Sequence, residues 1–215
     1  MRILIVNSNT TEAVTAQLLD AARRLCPPGV EVVAATAPCG VAAIERPEHL
    51  PQAALGTLRG FEAHGGGADA GIVACFSDPG LTEVRAAMPF PVVGLAEAAC
   101  LGAAAGGRRF AVVLLGYAMR DVLHGLIADY GCADRLAAIE CLSVGVLEFG
   151  RNPDAHMGEL HEAVRRCVDE AGAEVVVLGG AVTAGLGEAL SAISPVPVLD
   201  GLECALRMAA ERAVR

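Results

Sequence analysis

The sequence predicts an α/β protein of two pseudo-symmetric lobes, each a short parallel sheet flanked by helices, with the active site in the cleft between them. Three observations carry this. Short apolar runs alternate along the chain with stretches of helical spacing, the pattern of parallel strands joined by covering helices. The segment Gly67-Ala68-Asp69-Ala70-Gly71-Ile72-Val73-Ala74-Cys75 aligns without gaps on Gly172-Ala173-Glu174-Val175-Val176-Val177-Leu178-Gly179-Gly180, 105 positions further on (172 − 67 and 180 − 75). Arg2-Ile3-Leu4-Ile5-Val6 likewise matches Arg109-Phe110-Ala111-Val112-Val113, and Pro89 to Gly94 matches Pro195 to Asp200. Two copies of one unit should face each other, with Cys75 on one side of the cleft and Gly180 on the other.

The elements follow in order. Strands are expected at 2–6, 30–35, 69–75, 92–94, 109–114, 137–144, 174–178 and 196–198. Helix 11–25 follows the polar turn Asn7-Ser8-Asn9-Thr10, helix 79–88 carries Pro79 just inside its start, and helix 117–130 ends at Gly131. No long Pro/Ser linker separates the halves, so the lobes should pack intimately. Residues 1–95 with about 200–215 form lobe one and 96–199 lobe two, the chain crossing over near 95–108 and again near the C-terminus. In parallel sheets covered on both faces, ligands bind beyond the carboxyl ends of the strands.

Composition narrows the function. A formal charge of −9 over 215 residues, with no cluster of cations, argues against a nucleic-acid partner. All 16 basic residues are arginine, which excludes lysine Schiff-base chemistry and a Walker phosphate loop. The opening Met1-Arg2-Ile3-Leu4-Ile5-Val6 lacks the long apolar core of a signal peptide, and no apolar run is long enough for a membrane span. A cytoplasmic protein is therefore expected, its eight cysteines reduced. No CxxC or HExxH pair suggests a metal, and no organic cofactor is implied. Cys26, Cys100, Cys167 and Cys204 read as small packed hydrophobes in helices, and His49, His64, His124, His156 and His161 as surface residues. A homo-oligomer is compatible with the sequence.

Four strand-end turns should converge on the cleft: Asn7 to Thr10, Cys75 to Gly80, Gly116-Tyr117, and Gly179 to Thr183. An offset of 107 (109 − 2) sets Thr10 on Tyr117, so each lobe would offer a hydroxyl. Backbone amides and short polar side chains at such turns can hold an oxyanion without a metal. Cys75, placed between a strand and the helix start at Pro79, is expected to have a lowered pKa and to carry a proton. The alternative reading is a buried small hydrophobe. Asn9, Thr10, Phe76, Ser77, Tyr117, Gly180 and Ala181 are the candidate substrate-binding residues. Asn9 and Thr10 double as ordinary cap residues, and Ser77 and Asp78 divide between anion binding and capping of the helix at Pro79. Glu148 reads as a solvated strand-end carboxylate. Ser77 lies outside a GxSxG elbow, and Gly179-Gly180 lacks dinucleotide-binding spacing.

Asn7-Ser8-Asn9-Thr10, Ala74-Cys75-Phe76-Ser77-Asp78-Pro79-Gly80, Pro91-Val92-Val93-Gly94-Leu95-Ala96-Glu97-Ala98, Val146-Leu147-Glu148 and Leu178-Gly179-Gly180-Ala181 resemble the successive signature segments of the aspartate/glutamate/hydantoin racemase superfamily. The nearest branch is that of the hydantoin and allantoin racemases, over nearly the whole chain. The resemblance implies cofactor-independent proton transfer at a small carboxylate or cyclic imide by two cysteines, one per lobe. Cys75 matches the first; Gly180 stands where the second belongs. The arylmalonate decarboxylases also resemble this chain and imply an alternative, in which one thiol protonates one face of an enediolate and a tyrosine at 117 helps bind the remaining carboxylate. Their cysteine lies in the second half, the mirror of the arrangement here. Maleate isomerases, a further similar branch, rely on both cysteines. A ligand-binding relative that has lost catalysis is the rival outside enzymology.

Overall fold

Valine, isoleucine, leucine and alanine fill the central strand segments without polar alternation, which suits strands buried on both faces of a parallel sheet. The computed structural model describes residues 1–26 and 28–214. The first half runs β1 (Arg2–Asn7), α1 (Glu12–Leu25), β2 (Glu31–Thr36), α2 (Leu50–His64), β3 (Ala70–Val73), α3 (Leu81–Ala87) and β4 (Val92–Gly94). The second runs α4 (Leu95–Ala104), β5 (Phe110–Leu115), α5 (Arg120–Asp129), β6 (Leu136–Leu142), α6 (Val146–Arg151), α7 (Met157–Asp169), β7 (Val175–Leu178), α8 (Gly187–Ser191), β8 (Val198–Asp200) and α9 (Gly201–Ala213). Two parallel sheets result, ordered β2-β1-β3-β4 and β6-β5-β7-β8.

The two sheets repeat each other residue by residue. Ile3 pairs with Ala70 and Phe110 with Val175, so the offsets of 107 (110 − 3) and 105 (175 − 70) read from the sequence are those of the strand register. Arg2 N donates to Asp69 Oδ2 at 2.7 Å, and Arg109 N to Glu174 Oε2 at 2.8 Å. At the carboxyl ends, Ala74 N donates to Val6 O and Gly179 N to Val113 O, both at 2.8 Å.

Strand alternation sorts the core into three layers. Ile3, Ile5 and Ile72 of the first sheet and Phe110, Val112 and Leu114 of the second point inward to one shared cluster with α1, α4, α5 and α9. Leu4, Val6 and Val73 face outward to Phe61 of α2 and Val84 of α3, while Val113 and Leu178 face Leu160 and Val164 of α7. The helices that follow the last strand of each sheet are exchanged. α4 leaves β4 and packs on β5, β7 and β8; α9 leaves β8 and packs on β1, β3 and β4. The boundaries differ slightly from the sequence reading: the helix expected from Pro79 begins at Leu81, and the one expected from Tyr117 begins at Arg120. A tight turn precedes each helix, with Gly80 at φ 78° immediately before Leu81 and Gly116 at φ 75° after β5.

Candidate active site

The carboxyl ends of β1, β3, β5 and β7 open on one small cavity. Its wall includes Asn9 after β1, Cys75, Phe76 and Ser77 after β3, and Gly179, Gly180 and Ala181 after β7. Ile44, Leu114, Leu115, Met119 and Val146 supply apolar surface. Among the described residues, no charged side chain lines it. The turns from the two sheets meet closely: a Cβ on Gly179 would lie 2.6 Å from Leu114 Cδ2 and 3.1 Å from Phe76 Cδ1, so this position requires glycine.

The turn after β1 is tied to α1. Asn7 Nδ2 donates to Asn9 Oδ1 at 3.0 Å and to Thr15 Oγ1 at 3.1 Å, and Thr11 N donates to Asn9 Oδ1 at 2.9 Å. Asn9 thus commits its oxygen to the turn while its side chain lies on the cavity wall. Thr10, whose amide donates to Val41 O at 3.0 Å, is absent from the cavity wall. Tyr117 corrects the sequence reading more sharply: it is 66% exposed, because Gly116 turns the chain away after β5, and Met119 takes the place assigned to it. Glu148 lies on α6 rather than at a strand end, with its side chain 73% exposed.

Cys75 Sγ lies 3.2 Å from Ser77 Oγ, and Cys75 O accepts from Asp78 N at 3.0 Å. The expected lowering of its pKa is not what the site produces. Burial pushes the thiol up to about 11, Asp78 adds to the rise, and hydrogen bonding with Ser77 offsets part of it. The helix expected to stabilise the thiolate begins six residues on, at Leu81, too far for its terminal field.

Asp78 caps α4 rather than the helix it precedes. Its carboxylate accepts from Ala96 N at 3.1 Å, Glu97 N at 2.8 Å and the Tyr130 hydroxyl at 2.7 Å. Burial pushes its pKa up to about 7. Behind it, burial opposes ionisation of Glu97, yet Arg85 at 2.6 Å and Arg212 at 3.4 Å hold that carboxyl below its ordinary value. Tyr130 and Glu45 were outside the sequence reading. Glu45 reaches across the cleft, its Oε1 accepting from Val146 N at 2.8 Å at the start of α6. Both act 52 or more residues away in sequence, so local spacing carries no signal for them.

Opposite Cys75 in the repeat, Gly180 has φ 123° and ψ 139°, a conformation that side chains rarely adopt. A Cβ there would lie 3.4 Å from Leu115 Cδ1, so space exists while the backbone resists. Thr183 Oγ1 donates to Gly180 O at 2.7 Å and fixes the turn.

The chain's sequence and its fold are shared with known proteins. The Asp/Glu/Hydantoin racemase family model matches residues 3–209. The chain belongs to the Asp/Glu/hydantoin racemase family. The hydantoin racemase of Paenarthrobacter aurescens is 35% identical over 211 residues, spanning 97% of this chain and 89% of that protein. The hydantoin racemase of Pseudomonas sp. (strain NS671) is 34% identical, spanning 97% and 84%. Among solved structures, an allantoin racemase from Klebsiella pneumoniae superposes with a TM-score of 0.94 at 32% identity, covering 98% of this chain and 86% of that one. Arylmalonate decarboxylase has the fold of this family too: its TM-score is 0.69 at 16% identity, with 99% and 92% covered. The racemase class of the family is thus matched through the whole chain, and the decarboxylase through the fold alone.

Proposed function

We propose that this racemase-type isomerase acts on a neutral cyclic ureide, a 5-substituted hydantoin with an apolar substituent, and that Cys75 is its proton carrier. The observation that carries the reading is the cavity itself. It presents one thiol and neutral hydrogen-bonding groups within a mostly apolar wall, with no charged side chain among its described lining residues. A carboxylate substrate would enter without a countercharge, at a high desolvation cost, whereas a hydantoin ring needs donors and acceptors alone. Ile44, Leu115, Met119 and Val146 suit an alkyl or aryl substituent better than the ureido group of allantoin.

In this reading the Cys75 thiolate takes the C5 proton of the ring. The electron pair of the C–H bond passes to the adjacent carbonyl, making an enolate oxygen. Asn9 Nδ2, Ser77 Oγ and the amides of Gly180 and Ala181 are the donors available to it. Return of the proton from Cys75 regenerates the starting enantiomer. Gly180 brings no side chain to the other face, so inversion draws its proton from water there, and the hydroxide left behind takes the proton held by Cys75, restoring water and the thiolate. We divide the lobes into 1–95 with about 200–215, and 96–199. The eight free cysteines suit a reducing compartment, and we place the protein in the cytoplasm.

The test is a polarimetric assay of single enantiomers of 5-isobutylhydantoin, allantoin and aspartate with the purified protein. The hydantoin should lose optical activity fastest and aspartate should be untouched. Preference for aspartate or for allantoin would overturn the substrate assignment.

A further inference from the structure

We infer that Asp78 is a positioning residue that sets the Cys75 turn against the opposite lobe, a role separate from capping a helix. The inference rests on the reading of Cys75 as the proton carrier. Asp78 is 6% exposed and, at φ 44°, stands in the left-handed region that glycine usually occupies. Its amide closes the Cys75 turn, while its carboxylate is held by Ala96 and Glu97 of α4 and by Tyr130, just beyond α5. α4 lies on β5, β7 and β8, and α5 on β6. The bonds therefore run from the thiol's turn in the first sheet to elements resting on the second.

The duplication shows that capping alone would not need this. In the second copy the corresponding helix, α9, is capped by the residue that precedes it: Asp200 Oδ1 accepts from Glu203 N at 2.8 Å, and Oδ2 from Gly185 N at 3.0 Å. The matching residue before α4 is Gly94, and a Cβ there would fall on the Asp78 carboxylate. The same carboxylate site is thus filled from the helix's own cap in one half and from the thiol-bearing turn in the other. Asp78 faces Tyr130, Glu97, Cys75 and Cys100, with Arg85 and Arg212 behind Glu97. Its negative charge works against ionisation of Cys75, so positioning and electrostatics pull in opposite directions.

That opposition supplies the test. In Asp78→Asn, kcat should fall about ten- to hundredfold with KM within about twofold, the pattern of a displaced reacting group. Iodoacetamide alkylation of Cys75 at pH 9 should at the same time become faster. A kcat that is unchanged, or that rises with the alkylation rate, would overturn the inference. A second comparison moves the carboxylate to the place it has in the other half. Relative to Asp78→Gly, the double variant Asp78→Gly/Gly94→Asp should regain melting temperature and leave kcat low. Recovery of kcat to within about threefold of the parent would reduce Asp78 to a cap. If the double variant does not fold, Asp78→Asn decides. Alkylation needs no substrate, so absent hydantoin turnover in the parent would count against the proposed function, whereas an alkylation rate unaffected by Asp78→Asn would count against this inference.

Discussion

The Cys75 thiol is half-buried on the cavity wall, and desolvation together with Asp78 outweighs the hydrogen bond with Ser77, so its pKa is pushed up to about 11 and the thiol is overwhelmingly protonated at pH 7. The scarce thiolate is in return a strong base, which suits removal of a proton from carbon. The sign of the pH dependence follows. Raising the pH from 7 towards 10 should speed iodoacetamide modification of Cys75 about tenfold per unit, without a plateau near neutrality. Mass-mapped labelling across that range checks this, and saturation below pH 8 would show the thiol to be acidic after all. Cys75→Ser should lower turnover by about a hundredfold or more, since an alcohol ionises far less readily. Tyr117, by contrast, is exposed, and Tyr117→Phe should leave turnover within about twofold of the parent.

The turns after β3 and β7 show what duplication preserves and what it releases. The strands keep their register, and the bonds from Ala74 to Val6 and from Gly179 to Val113 are equal in length, yet one residue later the backbones part. Gly180, at φ 123°, has settled where a side chain would be strained. Gly180→Cys should therefore cost about 1–3 kcal/mol of stability, measurable by urea denaturation, while raising the ratio of inversion to proton exchange. An unchanged denaturation midpoint would show that the turn relaxes freely. The repeat offsets and strand starts were legible in the sequence because buried parallel strands read as continuous apolar runs. The partners of Asp78 were not. Ala96 and Glu97 lie 18 and 19 residues beyond it, and only the packing of α4 brings them near. The reversal at Cys75 has a similar origin: apolar spacing shows that a helix follows, but not the desolvation and the Asp78 charge that raise the thiol's pKa.

At the scale of the whole molecule, exchange of α4 and α9 makes either half incomplete without the other. Ile5, Val112 and Leu206 of α9 share one cluster, and Phe110 within it is fully buried. The protein should unfold in a single transition by calorimetry, with calorimetric and van't Hoff enthalpies equal. Phe110→Ala should shift that transition as a whole by about 3–5 kcal/mol of stability. Two separable transitions would show that the halves are independent.

The same union of halves brings Cys75 and Gly180 to one cavity wall, and the proposed proton transfer has a stereochemical consequence. The direct measurement uses one enantiomer of 5-isobutylhydantoin in deuterium oxide, following deuterium at C5 by NMR and configuration by chiral chromatography. Enzyme-catalysed deuterium incorporation should outrun inversion and disappear in Cys75→Ser. Inversion that keeps pace with incorporation from the first turnover, or exchange that survives Cys75→Ser, would contradict it.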